Sequence, residues 1–346
     1  NWAAMPAALR NVANIQCENC HGPGSQHAFS LGSTNLISTS FAAGNCAQCH
    51  DSLTHHFRNA EWNNSRHAVA TRSPTGAGRG GCVGCHSAIG FADRMNGVSS
   101  PRTDYEAITC AACHDPHDAT NPHQLRKVAD VKLMDNKTTV TEGGNAKLCM
   151  NCHMARRDAV TYVETTAGSS HFGPHYSCQT DMLMGVNAIT YGKEIPSSAH
   201  RHVAEEACLT CHMQEAESSP AFTHAGGHTF NMKWDNGTNT IELTEACVQC
   251  HGEIEEFNFK RQDFDGNGIV EGVQTEVHGV LNKLGRLLPP IGDPAVDITA
   301  AYTKQQLRAA WNYKFVEEDG SFGIHNLSYA VGLLKASIAD LTGDAN

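Results

Sequence analysis

The pentapeptide C-x-x-C-H occurs seven times in this chain, and no other feature restricts its fold so severely. The copies are CENCH at 17–21, CAQCH at 46–50, CVGCH at 82–86, CAACH at 110–114, CMNCH at 149–153, CLTCH at 208–212 and CVQCH at 247–251. They use fourteen of the fifteen cysteines and leave only Cys178. Zinc sites recruit C-x-x-C units in pairs, so an odd number of them fits badly. A disulfide framework gives no reason for a histidine after every second cysteine. Covalent haem attachment accounts for all three fixed residues: the two thiols add to the porphyrin vinyl groups, and the next histidine is carried under the ring to the iron. The expected attachment residues are Cys17, Cys20, Cys46, Cys49, Cys82, Cys85, Cys110, Cys113, Cys149, Cys152, Cys208, Cys211, Cys247 and Cys250. The expected proximal ligands are His21, His50, His86, His114, His153, His212 and His251, which implies seven haem c groups.

A chain of 346 residues would ordinarily suggest a pair of domains. Here the packing problem is different, because about one haem per fifty residues brings large flat apolar surfaces of its own. Only 7% of the residues are aromatic, whereas histidine reaches 21 copies. The formal charge is −11 before any propionate is added, so neither nucleic acid nor an anionic membrane surface is an expected partner. Redox proteins or extracellular electron acceptors are. There is no apolar run of about 18 residues, so no transmembrane segment is expected. The opening NWAAMPAALRNVANIQ lacks the basic start and apolar stretch of a signal peptide. Since haem is attached to C-x-x-C-H outside the cytoplasm, the expectation is an exported, periplasmic or extracellular chain whose export signal has been removed.

Between the motifs the chain is polar and rich in Gly, Ser, Thr and Asn, which reads as loops and short helices. Residues 204–217 and 244–257 look locally helical, and a Thr/Val stretch within 135–153 suggests one short hairpin strand. The long gap from 153 to 208 reads as an excursion carrying ligands for haems elsewhere. After residue 251 the motifs stop and helical periodicity appears, in EGVQTEVHGVLNKLGRLL and NLSYAVGLLKASIADL. In the second, Leu327, Val331, Leu334 and Ile338 share a face. The expected fold is mainly α with much irregular loop and little β, wrapped around a stacked haem array. Residues 1–255 form the haem region and 256–346 a helical cap.

Seven six-coordinate irons need seven distal ligands, and fourteen further histidines are available. Local context selects His27 in a glycine-rich turn, His67 and His200 after small polar residues, and His117 stiffened by Pro116. It also selects His175, with His171 as rival, His228 in GGHTFNM, and His325 at the entry to the last helix, with His278 next in the cap. Met150, Met154 and Met213 beside the motifs are expected to pack against the rings. Cys178 is expected to be buried, the alternative being an intermolecular contact.

A separate motif, DFDGNGIVEGVQ at 263–274, follows the start of a calcium loop. Asp263, Asp265 and Asn267 take positions one, three and five, Ile269 offers its carbonyl, and Glu271 takes position nine. Position twelve is Gln274 instead of glutamate, with Glu276 as a substitute two residues on. The competing reading is a polar turn.

The stretches CENCHGPGSQH, WNNSRHA, CAACHDPH, HFGPHYSCQTDMLMG, GGHTFNM and FGIHNLSYAVGLLKASI resemble bacterial and archaeal multihaem c-type cytochromes. The broad group includes pentahaem nitrite reductases, octahaem hydroxylamine oxidoreductases and related electron carriers. The resemblance implies haems stacked in alternating parallel and perpendicular pairs, with distal histidines from distant sequence. The leading function is electron transfer through seven haems, mostly or all bis-histidine ligated, with a polymeric conductive filament as an extension. The alternative is a reductase or oxidase of small nitrogen or sulfur compounds with one open iron. No C-x-x-C-K occurs, although the nitrite reductases mark their catalytic haem that way, so the carrier reading is preferred.

Overall fold

The computed structural model describes residues 4–11, 13–51, 57–69, 80–98, 105–126, 128–166, 169–216 and 223–344. His55 and His56, two of the spare histidines, lie outside them. The described chain is mostly helix and loop, and its sheet content is two antiparallel hairpins. It divides into two compact units, Asn1–Arg126 and Lys127–Asn346. The first holds four C-x-x-C-H motifs and the second three, so the boundary anticipated near residue 255 lies inside the second unit.

In the first unit the helices are short. A run of helix needs an apolar face to stabilise it, and among the described residues Ala88–Met95 supplies one, burying Ala88, Ile89, Phe91 and Ala92. Ser87 caps this helix by accepting from Gly90 N–H, and Glu106 accepts from Ile89 N–H at 3.0 Å. It packs against both the Gly80–His86 and the Cys110–Cys113 helices, so it fixes two motif helices from one side. Trp62 Nε1–H donates to the Ile108 carbonyl (2.8 Å) and Thr109 Oγ1–H to that of Phe41 (2.6 Å), tying the second motif's flank to the fourth's.

The second unit contains the conventional core. Its three long helices, Val273–Gly285, Lys304–Asp319 and Leu327–Thr342, pack on one another. Leu327, Val331 and Leu334 are buried as the periodicity requires, with Ile338 packed at the edge. The middle helix was not singled out by periodicity, because its buried side carries Asn312, Glu318 and Asp319 beside Leu307, Trp311 and Phe315. Its ends are nevertheless well marked. Thr303 and Gln306 form a reciprocal capping box, and Gly320 takes the left-handed conformation at its C-terminus.

The 153–208 excursion is built into this core through Ala155, Val163, Phe172, Met182 and Ile189. Cys178 is fully buried there, its thiol donating to the Phe315 carbonyl. A second cluster joins Val131, Leu133, Val140 and Met150 to Leu183 and Ala207. The expected Thr/Val strand pairs Val131 with Val140. A further hairpin, Lys233–Asp235 with Thr240–Glu242, turns at Asn236–Gly237, a dipeptide that signals such a turn.

Asn312 is fully buried and joins two segments: its amide accepts from Ile189 N–H and donates to the Ile189 carbonyl and Ser337 Oγ. Asn312→Ala is expected to orphan both Ile189 groups, at about 1–3 kcal/mol each. A urea midpoint that falls with an unchanged slope would confirm this; a midpoint like that of the parent would contradict it.

Candidate haem centres

The motifs lie on or directly beside short helices, Cys17–His21, Gly44–His50, Gly80–His86, Cys110–Cys113, Lys147–Met150, Cys208–His212 and Val248–His251, with His114, Cys152 and His153 just past a helix end and Cys247 just before a helix start. Residues i, i+3 and i+4 share a helical face. The turn therefore presents both thiols and the histidine to one side, which is what a single porphyrin bridged at two vinyls and ligated at its iron requires. The first and last motif helices stop directly after the histidine, where Gly22 and Gly252 adopt φ values of +72° and +71°. No disulfide joins any of the fifteen cysteines. Beside the first motif Phe29 and Leu31 lie almost wholly on the surface, an apolar flank that suits a flat apolar ring.

Four motif histidines turn Nδ1 toward an acceptor. His21 donates to the Ser38 carbonyl at 2.5 Å, His114 to that of His123 at 2.6 Å, and His212 to that of Phe230 at 2.8 Å. His153 faces Gln179 Oε1 at 3.2 Å. Among the distal candidates, His27 donates to the Ser33 carbonyl and His200 to that of Ile324, both at 2.8 Å, and His325 donates to Asp319 Oδ1 at 2.7 Å. A proton fixed on Nδ1 leaves the lone pair on Nε2, the arrangement of metal-bound histidine.

Three candidates from distant sequence face a motif histidine. The ring centroids of His21 and His117 are 5.9 Å apart, those of His251 and His200 5.9 Å, and those of His212 and His325 6.3 Å. Ordinary aromatic ring contacts also span about 4.5–7 Å. A metal–imidazole bond is about 2 Å long and the ring centroid lies about 1 Å behind its nitrogen, so two imidazoles across one metal stand about 6 Å apart. The spacing of each of these three pairs is that of two imidazoles with one metal between them. The other four candidates have different surroundings. His27 is in its Ser33 turn. His67 is half-buried after the Arg58–Asn63 helix. The His175 ring accepts from Arg156 Nη1 at 3.2 Å, and His228 lies edge-on to Phe230. His278 is stacked on Phe322 at 3.8 Å and His224 on Trp234 at 4.7 Å, ordinary packing roles for two of the surplus histidines.

Thiol contacts show which motifs are neighbours. A hydrogen bond with Cys46 pulls Cys110 down to about 7, against the opposing effect of burial. One with Cys149 does the same for Cys208. Cys211 is pushed up to about 11, by burial first and then by nearby Cys247. The second motif therefore adjoins the fourth, and the fifth, sixth and seventh follow one another.

In the calcium-like loop, carboxylate oxygens of Asp263, Asp265 and Glu276 lie within 4.8 Å of one another. Glu276 also accepts from the backbone N–H groups of Phe264, Asp265 and Glu271, at 2.8, 3.1 and 2.8 Å. Gln274 points away, to the Ser321 carbonyl. Asn267 Nδ2–H donates to Glu271 and its Oδ1 accepts from Ile269 N–H. Glu276, the substitute named from the sequence, is thus the third carboxylate of this cluster.

Residues 103–158, spanning the fourth and fifth motifs, match the family described as the doubled CXXCH motif. The chain is 24% identical over 273 residues to the multiheme cytochrome MtrA of Shewanella baltica, covering 72% of this chain and 70% of that protein. It is 24% identical over 385 residues to the dissimilatory sulfite reductase MccA of Wolinella succinogenes, covering 98% of this chain but 52% of the relative. It shares its fold with the crystal structure of the outer cell wall cytochrome OcwA, at a TM-score of 0.64 and 21% identity, over 98% of this chain and 74% of that one. With seven C-x-x-C-H motifs in this fold, the chain is a multihaem c-type cytochrome, and it binds haem c.

Asp181 braces the segment that follows His153, accepting from Ala155 N–H at 2.7 Å and from Asn187 Nδ2 at 2.8 Å. Burial raises its carboxyl from 3.8 to about 6, only partly offset by these bonds. Its folded value exceeds the unfolded one, so between pH 4 and 6 the folded chain holds the extra proton and this group's contribution to stability falls as pH rises. Asp181→Asn is expected to flatten the stability–pH profile across that window. An unchanged slope would contradict the assignment.

Proposed function

We propose that this cytochrome conducts electrons outside the cytoplasm through seven covalently attached haems, with two histidines on each iron. The observation that carries the reading is the set of three histidine pairs set about 6 Å apart. Its support is the ligand pattern: Nδ1 held, Nε2 presented, and distal residues brought from up to 113 positions away, as with His212 and His325. Bound haem supplies reversible one-electron chemistry, and the protein fixes ligand identity and orientation, the main levers on its potential. Two imidazoles per iron also deny small substrates a coordination position. The neighbouring motif pairs supply the close approach that hopping between haems requires. On this proposal donor and acceptor are redox proteins or extracellular acceptors, and assembly of several copies into a conductive filament extends the same path.

A second reading has one specific observation in its favour, the likeness to a sulfite reductase over 98% of this chain. It requires one iron with an open distal position, and a reduction of small sulfur or nitrogen compounds there. Carbon monoxide separates the two. The intact holoprotein is expected to carry a mass excess of seven haems, and its reduced form to bind no stoichiometric carbon monoxide. One carbon-monoxide-binding haem together with turnover of sulfite, nitrite or hydroxylamine at enzyme rates, about 1–10³ per second, would establish the second reading. His200→Ala is expected to create one binding haem where there was none; an unchanged titration would remove His200 from the ligand set.

We also propose that Asp263, Asp265 and Glu276 hold a structural Ca²⁺, with Asn267, Glu271 and the Ile269 carbonyl around it. The support is the convergence of three carboxylates in a loop of matching spacing. Calcium is expected to raise the Tm of the holoprotein through linkage to the folded state, and the double substitution Asp263→Ala with Asp265→Ala to abolish that rise. If chelation alters neither protein, the segment is a turn.

A further inference from the structure

Most of the histidine Nδ1 protons described above go to neutral acceptors. Those of His21, His27, His114, His200 and His212 point at backbone carbonyls, and His153 faces a glutamine side chain. His325 differs, because its acceptor is the carboxylate of Asp319 at 2.7 Å. Another histidine beside a carboxylate is His117, whose Nδ1 stands 3.7 Å from Asp115, and with the imidazole 77% exposed this is not a hydrogen bond. The Asp319 side chain, by contrast, is 1% exposed.

The fold holds this carboxylate in place. Asp319 is the last residue of the Lys304–Asp319 helix, and Gly320 at φ +74° turns the chain back so that His325 meets it six residues on. Its second oxygen accepts from the Ser321 hydroxyl and from Ser321 N–H at 3.2 Å, and Ser321 Oγ in turn accepts from His325 N–H at 3.1 Å. Gln179 Nε2–H donates to the carbonyls of Glu318 and Asp319, at 3.1 and 3.2 Å. The same Gln179 faces His153 through Oε1, so one side chain links the fifth motif's histidine to the turn that carries Asp319.

We propose that Asp319 is a positioning residue which makes His325 a more basic axial ligand and so lowers the reduction potential of one centre, the iron facing His212 and His325. This rests on the reading of those two histidines as one iron's ligands. A carboxylate drawing on the Nδ1 proton gives the imidazole imidazolate character and strengthens its donation through Nε2. A buried negative charge near the metal also favours the more positive, oxidised iron, and burial leaves the interaction poorly screened. Both effects act in the same direction. This centre is therefore more readily oxidised than it would be with a neutral group in the place of Asp319.

The test is a potentiometric titration of the holoprotein, followed by low-temperature electron paramagnetic resonance, for four variants. Asp319→Asn, which keeps the shape and removes the charge, is expected to raise one potential by about tenfold in that centre's reduction equilibrium, about 59 mV for one electron. The remaining potentials are expected to stay where they are. Asp319→Glu keeps the charge and is expected to retain the low potential. Ser321→Ala breaks the neighbouring hydrogen bond without changing charge and is expected to leave the potential alone. His325→Ala is expected to yield one new carbon-monoxide-binding haem. If His325→Ala yields none, the ligand assignment itself is wrong. If it does, but Asp319→Asn moves no potential, or Ser321→Ala and Asp319→Glu move it as far, the role assigned to Asp319 is overturned.

Discussion

The structure depends on one turn of helix carrying Cys, Cys and His at i, i+3 and i+4. That spacing makes two covalent bonds and one coordinate bond converge on a single flat group. Seven such turns convert a sequence with few aromatics into one that can be organised around porphyrin. The consequence is visible among the described residues of the first unit, where α-helices of four to eight residues suffice and one apolar element, Ala88–Met95, packs on two motif helices. Isolated helices of that length are unstable in water. On the proposed reading, the attached ring takes the place of the missing apolar face.

The second unit combines that strategy with an ordinary core, and the core is unusually polar at its joints. Asn312, Asn326, Asp181 and Glu318 are buried, and each bonds backbone groups of a segment distant in sequence. Glu318 accepts from the N–H groups of His175 and Tyr176, two residues held at positive φ. Such side chains add little net stability but fix which segments meet. They place His200 and His325, both on non-motif segments, opposite His251 and His212. The same precision sets apart the Asp319–His325 contact from the carbonyl-bound histidines around it.

Much of this was legible in the sequence. The motif residues were unambiguous because the chemistry admits few substitutes, and the choice of His117, His200 and His325 followed from turn and helix-entry residues around them. Which histidine faces which could not be read, because no local pattern encodes a contact between residues such as 212 and 325. The Lys304–Asp319 helix escaped notice because functional and joining polar residues occupy its buried face and blur the apolar period. The second hairpin carried a readable mark in Asn236–Gly237, although its strands of three residues are too short for alternation to register. The calcium-like loop departs from its pattern at Gln274, and Glu276 could be named from the sequence as the substitute; what the sequence does not show is that Glu276 sits on the helix Val273–Gly285 and reaches back to the loop.

The central claim is that every iron is held between two imidazoles. Near-infrared magnetic circular dichroism of the fully oxidised holoprotein, scaled to its iron content, measures this directly. The account predicts that the low-spin bis-imidazole band accounts for all of the iron, with no high-spin component. A high-spin band equivalent to one iron per chain would contradict it and would mark an open coordination position.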